Sequence, residues 1–459
     1  MTYNPRVHSR RPGARAVLSA LLLLSVSPLA AQQQLTLGEA LRRADSAAFA
    51  NRIAVGDARV TGAQATATLQ GILPTVRAVA GYVRSDEPLT AFGFTLAQRG
   101  VSLASFDLAT LNYPASIGNW NGGFVAEVPL VNVDAWYGRA AASSAAAAAT
   151  ASTQWTRELT RVDVVRAYFR AILVGEQATA LVAAADAAHA HVRQAESMVG
   201  NGMATRSDAL LASVQAGQVD AQLLSATGEA RIAHQRLALL LGQPGDTTFT
   251  LPDSLPSAAR IRALTQDPAA DSANARLDVT AARLGVEAAR RDVRRANAKY
   301  LPRLNGFGRY DWNSPDQPFG GQGSYTVGIM ASWSPFAGAS EIAARQEARG
   351  RAAAASASAE AAEAAADLER QATATRHEVA LAQLGIAEAA VVQAAEAHRI
   401  VARKYAGGLA TVAELLSAAA IDTQARLALS ESRYQAIVTD AAARQASGRD
   451  LMALTGLEN

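Results

Sequence analysis

The chain of 459 residues contains no cysteine. Disulfides and a lipid-modified N-terminal cysteine are therefore excluded. Proline is present but confined: all 15 prolines fall at or before Pro335, and none lies between Pro129 and Pro244. Two proline-free tracts, 130–243 and 336–459, thus hold over half the chain. Aromatic residues make up only 5%, and alanine is abundant. That composition suits close-packed helices rather than bulky globular cores. After the N-terminal region no run of 18 or more apolar residues occurs, so no spanning helix is expected. The six histidines are dispersed. His189 and His191 lie two apart on a helical pattern and do not share a face for a metal. RHEVA at 376 lacks the second histidine of a zinc-protease helix, and GGQG at 320–323 has the context of a hairpin turn, not of a phosphate loop. No catalytic residue, metal site or cofactor is expected, and the chain reads as a non-enzyme.

Residues 1–31 have the form of an export signal. Arg6, Arg10, Arg11 and Arg15 precede the short apolar run VLSALLLLSV, and Ala30 and Ala31 supply small residues before Gln32. As a membrane anchor the run is too short, and it ends at Pro28. Without those four arginines the formal net charge falls from +3 to −1. The basic balance therefore gives no support for nucleic-acid binding. A remainder of about 428 residues would ordinarily be two or three domains, but the proline-free tracts point elsewhere.

Those tracts are organised around VGNGMATRSDALLASVQAGQVDAQ (199–222) and its echo YAGGLATVAELLSAAAIDTQAR (405–426). Gly202 and Gly408 can take the positive φ at which a helix stops. Thr205 with Asp208, and Thr411 with Glu414, then form the T-x-x-D/E pattern of a capping box. Each stretch predicts a long helix, a tight tip and a returning helix. The hairpins are expected over 133–241 with a tip at 200–206, and over 338–447 with a tip at 406–411. At 1.5 Å per residue the first outgoing helix would be roughly 100 Å long.

LTLGEALRRADSAAFANRIAV (35–55) is an amphipathic helix with Leu37, Ala40, Leu41 and Ala44 on one face, and a second helix runs to about Ile72. Leu73-Pro74 stops it. Strands are then expected near 74–84, where Val76, Ala78, Ala80 and Tyr82 alternate with Arg77 and Gly81, and near 123–131, where Phe124, Ala126, Val128 and Leu130 oppose Val125 and Glu127. Residues 85–121 read as a long loop. Residues 243–275 form a linker with one short strand in TTFTL. Further strands are expected near 302–312 and 325–334. The second half repeats the first: Pro129 to Pro335, Gly202 to Gly408 and Gly242 to Gly448 are each separated by 206 residues. Leu73-Pro74 to Leu301-Pro302 spans 228, so the first strand-to-strand connection carries 22 extra residues. The repeats are thus 32–242 and 276–459.

Strands of about ten residues can cross a bilayer when tilted. Leu304, Gly306, Gly308, Tyr310 and Trp312 share a face with Val327, Ile329, Ala331 and Trp333. Arg303, Asn305, Arg309, Asp311, Thr326 and Ser332 take the other. A soluble sheet resting on helices would show the same alternation. In a membrane, however, four strands cannot close a barrel, and an open edge cannot exist in lipid. Three chains sharing one barrel would give 12 strands, with the helices running inward across the periplasm.

These pieces resemble the TolC-like outer-membrane efflux proteins over nearly all of the chain beyond the signal. The matching segments are LTLGEALRRA, the two LP-to-strand segments, VPLVN and WSPFAG before the long helices, and the two G-x-[AT]-[TR] tips. The resemblance implies a mainly α fold with a small β part: a homotrimer with a 12-stranded barrel in outer-membrane lipid, continuous with a periplasmic helical tunnel. It implies docking to a periplasmic adaptor and an inner-membrane transporter, in efflux or type I secretion. It also implies an iris at the periplasmic end, with Tyr405 as a gate tyrosine, Asp208 as its partner, Ser207 as a neighbouring hydroxyl and Glu414 as a tunnel-lining carboxylate. Ala410 stands where the family has an arginine latch, and Ser417 where it has a second aspartate. Capping alone also accounts for Asp208 and Glu414. The tip residues Gly202, Met203, Thr205, Arg206, Gly408, Leu409 and Thr411 are the expected adaptor contacts. A soluble periplasmic coiled-coil scaffold is the alternative, and the strands discriminate against it.

Overall fold

A computed structural model describes residues 34–245, 248–265, 276–318 and 320–457. The export signal therefore lies outside the described residues, as does part of the 243–275 linker. The helices are α1 (Leu37–Ala47), α2 (Phe49–Ala67), α3 (Pro88–Ala97), α4 (Leu108–Asn112), α5 (Val133–Gly200), α6 (Arg206–Leu240), α7 (Ala258–Thr265), α8 (Leu277–Ala298), α9 (Ser340–Ala406) and α10 (Val412–Ala446). The strands are β1 (Thr75–Ser85), β2 (Ile117–Val131), β3 (Arg303–Ser314) and β4 (Gln322–Ser332). The repeat is visible in the lengths: α5 and α9 have 68 and 67 residues, and α6 and α10 have 35 each. It is visible in the backbone too, where Gly202 and Gly408 both have φ 72°, and Gly242 and Gly448 have 74° and 69°.

The strands form one antiparallel sheet in the order β1-β2-β3-β4. Tyr82 faces Trp120, Phe124 faces Tyr310, and Gly308 faces Val327. One face therefore gathers the apolar residues, including the packed rings of Tyr82 with Trp120, Phe124 with Trp312, and Tyr310 with Trp312. The other face carries Arg77 bound to Glu127 and Asn119 bound to Asn313. A bulge at Pro129 to Val131 ends the ladder beside α5. There Arg303 pairs with Asp134, and the Asn132 amide donates to Asn305 Oδ1 at 3.1 Å.

Several expectations change. β2 begins at Ile117, six residues before the apolar alternation starts, because backbone pairing with β1 carries Gly118, Asn119 and Asn121 into the ladder. Residues 85–121 are not an open loop but hold α3, a 3₁₀ turn (Leu103–Phe106) and α4. TTFTL makes a single parallel bridge, Thr250 to Gln34, rather than a strand. Trp333 lies past the end of β4 and donates from its indole to the Tyr300 carbonyl at 3.0 Å. By length and composition α5 and α9 each contain a window apolar enough to cross a membrane. Alanine supplies most of that apolarity, and each helix continues for 67 residues or more into a hairpin.

The main core sits at mid-length of the long helices. Leu37 and Leu41 of α1 meet Val164, Val165, Phe169 and Leu173 of α5, Leu237 of α6, Ile261 of α7, Leu384 of α9 and Ile437 of α10. The Tyr168 hydroxyl donates to the Leu35 carbonyl at 2.8 Å inside it. Arg276 lies over the Trp155 ring at its edge. Above this belt α2 and α8 flank α5. Thr160 Oγ1 donates to Asn51 Oδ1 at 2.9 Å, and Arg291 donates to Ser144 at 2.7 Å. Below it only the two hairpins continue.

Gly242 and Gly202 separate two demands on glycine. A Cβ at Gly242 would lie 2.3 Å from the Ala47 carbonyl oxygen, whereas one at Gly202 meets nothing within 4 Å. Gly202→Ala should cost only left-handed strain, about 1 to 2 kcal/mol. Gly242→Ala should lower the thermal unfolding midpoint clearly further. Equal shifts would show that the Ala47 contact yields freely.

Candidate functional site: the paired hairpin tips

The tips are built by local chemistry. Past Gly202, Thr205 caps α6: its backbone N–H donates to Asp208 Oδ2 at 2.9 Å, and the Asp208 N–H donates back to Thr205 Oγ1 at 3.4 Å. Past Gly408, Thr411 does the same with Glu414, at 2.7 and 3.2 Å. Both capping boxes read from the sequence are therefore formed. The hydrogen bonds from threonine hold both carboxyls below the usual carboxylate range. Ser207 lies against Thr205, Oγ to Oγ1 at 2.6 Å.

The two hairpins are joined behind the tips by a second small core. It contains Ala195 of α5, Ala212 of α6, Tyr405 of α9, and Val412, Leu415 and Leu416 of α10. Ala410, at the latch position, packs onto this core. Tyr405 is only 3% exposed, and its hydroxyl has no hydrogen-bond partner in this chain among the described residues. Burial pushes the Tyr405 phenol up, and the nearby Asp208 carboxylate adds to the rise. The structure thus brings Tyr405 and Asp208 into one neighbourhood without the expected hydrogen bond between them. Glu414 and Ser417 lie exposed one turn apart on α10, clear of that core. Met203 and Leu409, the apolar tip residues, are 64% and 82% exposed.

A cluster that sequence reading passed over lies further up the hairpins. His191 of α5 and His398 of α9 face each other with ring centroids 6.3 Å apart. His398 Nδ1 lies 3.5 Å from Asp422 of α10, which also takes Arg426 at 3.1 Å. They line a groove of about 880 Å³ between the hairpins, with Gln215 and Gln222 opposite. A sequence signal existed: the two histidines are 207 residues apart, one from the repeat offset. Burial lowers the His191 pKa, and His398 lowers it further, against a hydrogen bond that the imidazole donates to Gln194.

With this geometry described, comparison with known proteins is informative. Residues 270–449 match the family model described as outer membrane efflux protein. That match falls largely within the second of the two repeats. The described residues have the fold of solved outer membrane channels. It is similar to the outer membrane protein VceC of Vibrio cholerae, at 21% identity and TM-score 0.74, covering 90% of this chain and 96% of that one. It is similar to the CmeC outer membrane channel of Campylobacter jejuni, at 15% identity and TM-score 0.73, covering 96% and 94%. The open state of the MtrE outer membrane channel of Neisseria gonorrhoeae aligns at 18% identity and TM-score 0.70, covering 90% and 89%. No curated protein matched the sequence. The paired tips form the end of the hairpins remote from the sheet.

The caps and His191 respond to different pH ranges. A depressed carboxyl contributes stability above its unfolded pKa and loses it as pH falls through the lower folded value, so both caps persist well below neutrality. A depressed imidazole is protonated more readily in the unfolded chain. Its contribution is intact above 6.5 and is lost as pH falls from there toward the folded value. Between about pH 7 and about pH 5, His191→Gln should therefore flatten the fall in thermal midpoint, whereas Thr205→Ala should cost about 1 kcal/mol at both ends of that range. Identical slopes for wild type and His191→Gln would remove the histidine from the account.

Proposed function

We propose that the protein is the outer-membrane exit duct of an export system, conducting cargo passively and opened by partners at its periplasmic end. The observation that carries this reading is the sheet. Its strands have 11, 15, 12 and 11 residues, one face is apolar and ringed, and both β1 and β4 are open edges. Lipid tolerates no unpaired strand edge. Because the order is β1-β2-β3-β4 and every neighbour is antiparallel, β4 of one chain can pair antiparallel with β1 of the next. Three chains then close a barrel of 12 strands. The long hairpins continue from the same end of the sheet as a tunnel through the periplasm. Bound lipid lies against the apolar face, and the barrel sits in the outer membrane.

The tips are the gate in this reading. Tyr405 presents a buried, unpartnered hydroxyl, and a buried donor without a partner costs about 1 to 3 kcal/mol. Contacts between neighbouring tips would latch the end shut, with the Tyr405 hydroxyl turned out of the tip core to reach a partner. Glu414 and Ser417 face the tunnel, three carboxylates to the ring. Met203, Arg206 and Leu409, with the flanking Gly202, Thr205, Gly408 and Thr411, are the contact for a periplasmic adaptor that links the duct to an inner-membrane transporter. The cargo class is set by that transporter.

The first experiment is the mass of the protein extracted from outer membranes in mild detergent, corrected for bound detergent. Three chains are expected; a monomer, or release without detergent, would overturn the duct. In the trimer, Tyr405→Phe and Asp208→Ala together should raise leakage of small solutes several-fold while the trimer persists. Unchanged leakage would sink the latch.

A further inference from the structure

We propose that the insertion between β1 and β2 is an apolar plug folded into the outer mouth of the barrel, completed by the same segment from the other two copies. The proposal rests on the shared-barrel reading above.

Its first support is which side of the sheet the segment takes. The Gln98 amide, just past α3, donates to the Gly118 carbonyl and to Asn119 Oδ1, both at 2.9 Å. Asn119 belongs to the polar face, is only 3% exposed, and is bonded onward to Asn313 of β3. Arg99, held at φ 55°, donates to the Gly323 carbonyl of β4 at 3.3 Å. The segment therefore leaves β1, reaches β2 and extends past β3 to β4 across the polar face. In a closed barrel with apolar residues outward, that face is the lumen.

The segment is also folded rather than slack. Ala91 is fully buried, Phe92 meets Phe106 edge-on at 6.0 Å, and Ser102 and Ser105 cap the 3₁₀ turn reciprocally. Three of its leucines are nevertheless largely uncovered in this chain. Leu89 is 78% exposed, Leu103 94% and Leu108 76%. Such a cluster on a segment that lies over polar groups marks a missing partner. Threefold symmetry supplies one, since each copy hangs at the same depth and faces the axis. An α3 of 10 residues is about 15 Å long, and a barrel of 12 strands lies between those filled by side chains and those with wide aqueous channels. Three segments can therefore meet, and an apolar constriction of that kind excludes water and small ions until cargo parts it.

The absence of cysteine makes the test direct. In the purified trimer Leu103→Cys, oxidised with copper phenanthroline, should give a covalent dimer on a non-reducing gel, because the thiols meet near the axis. Separately, Thr326→Cys places a thiol on the polar face of β4, deeper than Gly323. In intact cells a membrane-impermeant maleimide should label it slowly, and at least several-fold faster when Leu89→Ser, Leu103→Ser and Leu108→Ser are added. This readout is independent of the periplasmic gate. A trimer that gives no cross-link and labels equally fast in both backgrounds overturns the plug alone. A protein that is monomeric in detergent overturns the shared barrel and the plug with it.

Discussion

The row of unpaired backbone groups along β1 and β4 governs the rest of this molecule. A strand edge in water is a tolerable liability, blunted by charge or short length. Here the edges belong to strands of 11 residues each, and the face beside them carries Val76, Tyr82, Tyr325, Val327 and Ile329, nearly all well exposed in one chain. Neither edges nor apolar face can be satisfied by this chain alone. The helices cannot cover them either, because α5 and α9 leave the sheet at its end rather than lying across it. In the proposed duct, closure by further copies pairs the edges and lipid covers the face, and whatever the hairpins do, they do around a common axis.

That axis explains why so much alanine is useful. A long hairpin seen alone has few buried residues below the central belt: the tip core, and a small cluster of Ala185, Ala188, Ala216 and Val219. Leu224, Leu368, Ile386 and Val392 remain exposed along its flanks. A single hairpin of this length is therefore under-stabilised, since helices gain most of their stability from burying a face. Small side chains let neighbouring helices approach closely, and the apolar residues between them become the seam. Among the described residues, the largest core is the belt where α1, α5, α6, α7, α9 and α10 converge.

The sequence made the repeat, the tips and the capping boxes legible because each is local. Gly202 and Gly408 need positive φ, and Thr205, Asp208, Thr411 and Glu414 act within three residues of one another. Strand alternation was equally legible from Val76 to Tyr82 and from Leu304 to Trp312. What escaped was set by tertiary contact. β2 starts at Ile117 because β1 offers partners there, although Gly118, Asn119 and Asn121 have poor strand propensity. The helices inside 85–121 hide among phenylalanine, glycine and asparagine, and contacts with one another and with the polar sheet face hold them. His191 and His398 come together because two hairpins run in parallel, which no spacing within one helix announces. Tyr405 lies near Asp208, but its hydroxyl is enclosed in the tip core without an acceptor, which local capping chemistry does not announce.

This last conflict bears on how the tip works. A carboxylate that both caps its own helix and receives a bond from a neighbouring tip can do the two at once only if it offers different lone pairs. Thr205 binds Oδ2 through backbone and hydroxyl alike, which leaves Oδ1 without a bond to the cap. A neighbour's donor could use Oδ1 without loosening the cap. The latch is then added to a preformed tip rather than traded against it, and breaking the latch leaves each hairpin folded. Ala410 fits the same economy: its methyl packs on the tip core where an arginine would have to pull away from it. Opening would thus rearrange contacts between rigid tips, while the small core around Tyr405 keeps the two hairpins of each chain moving as one piece.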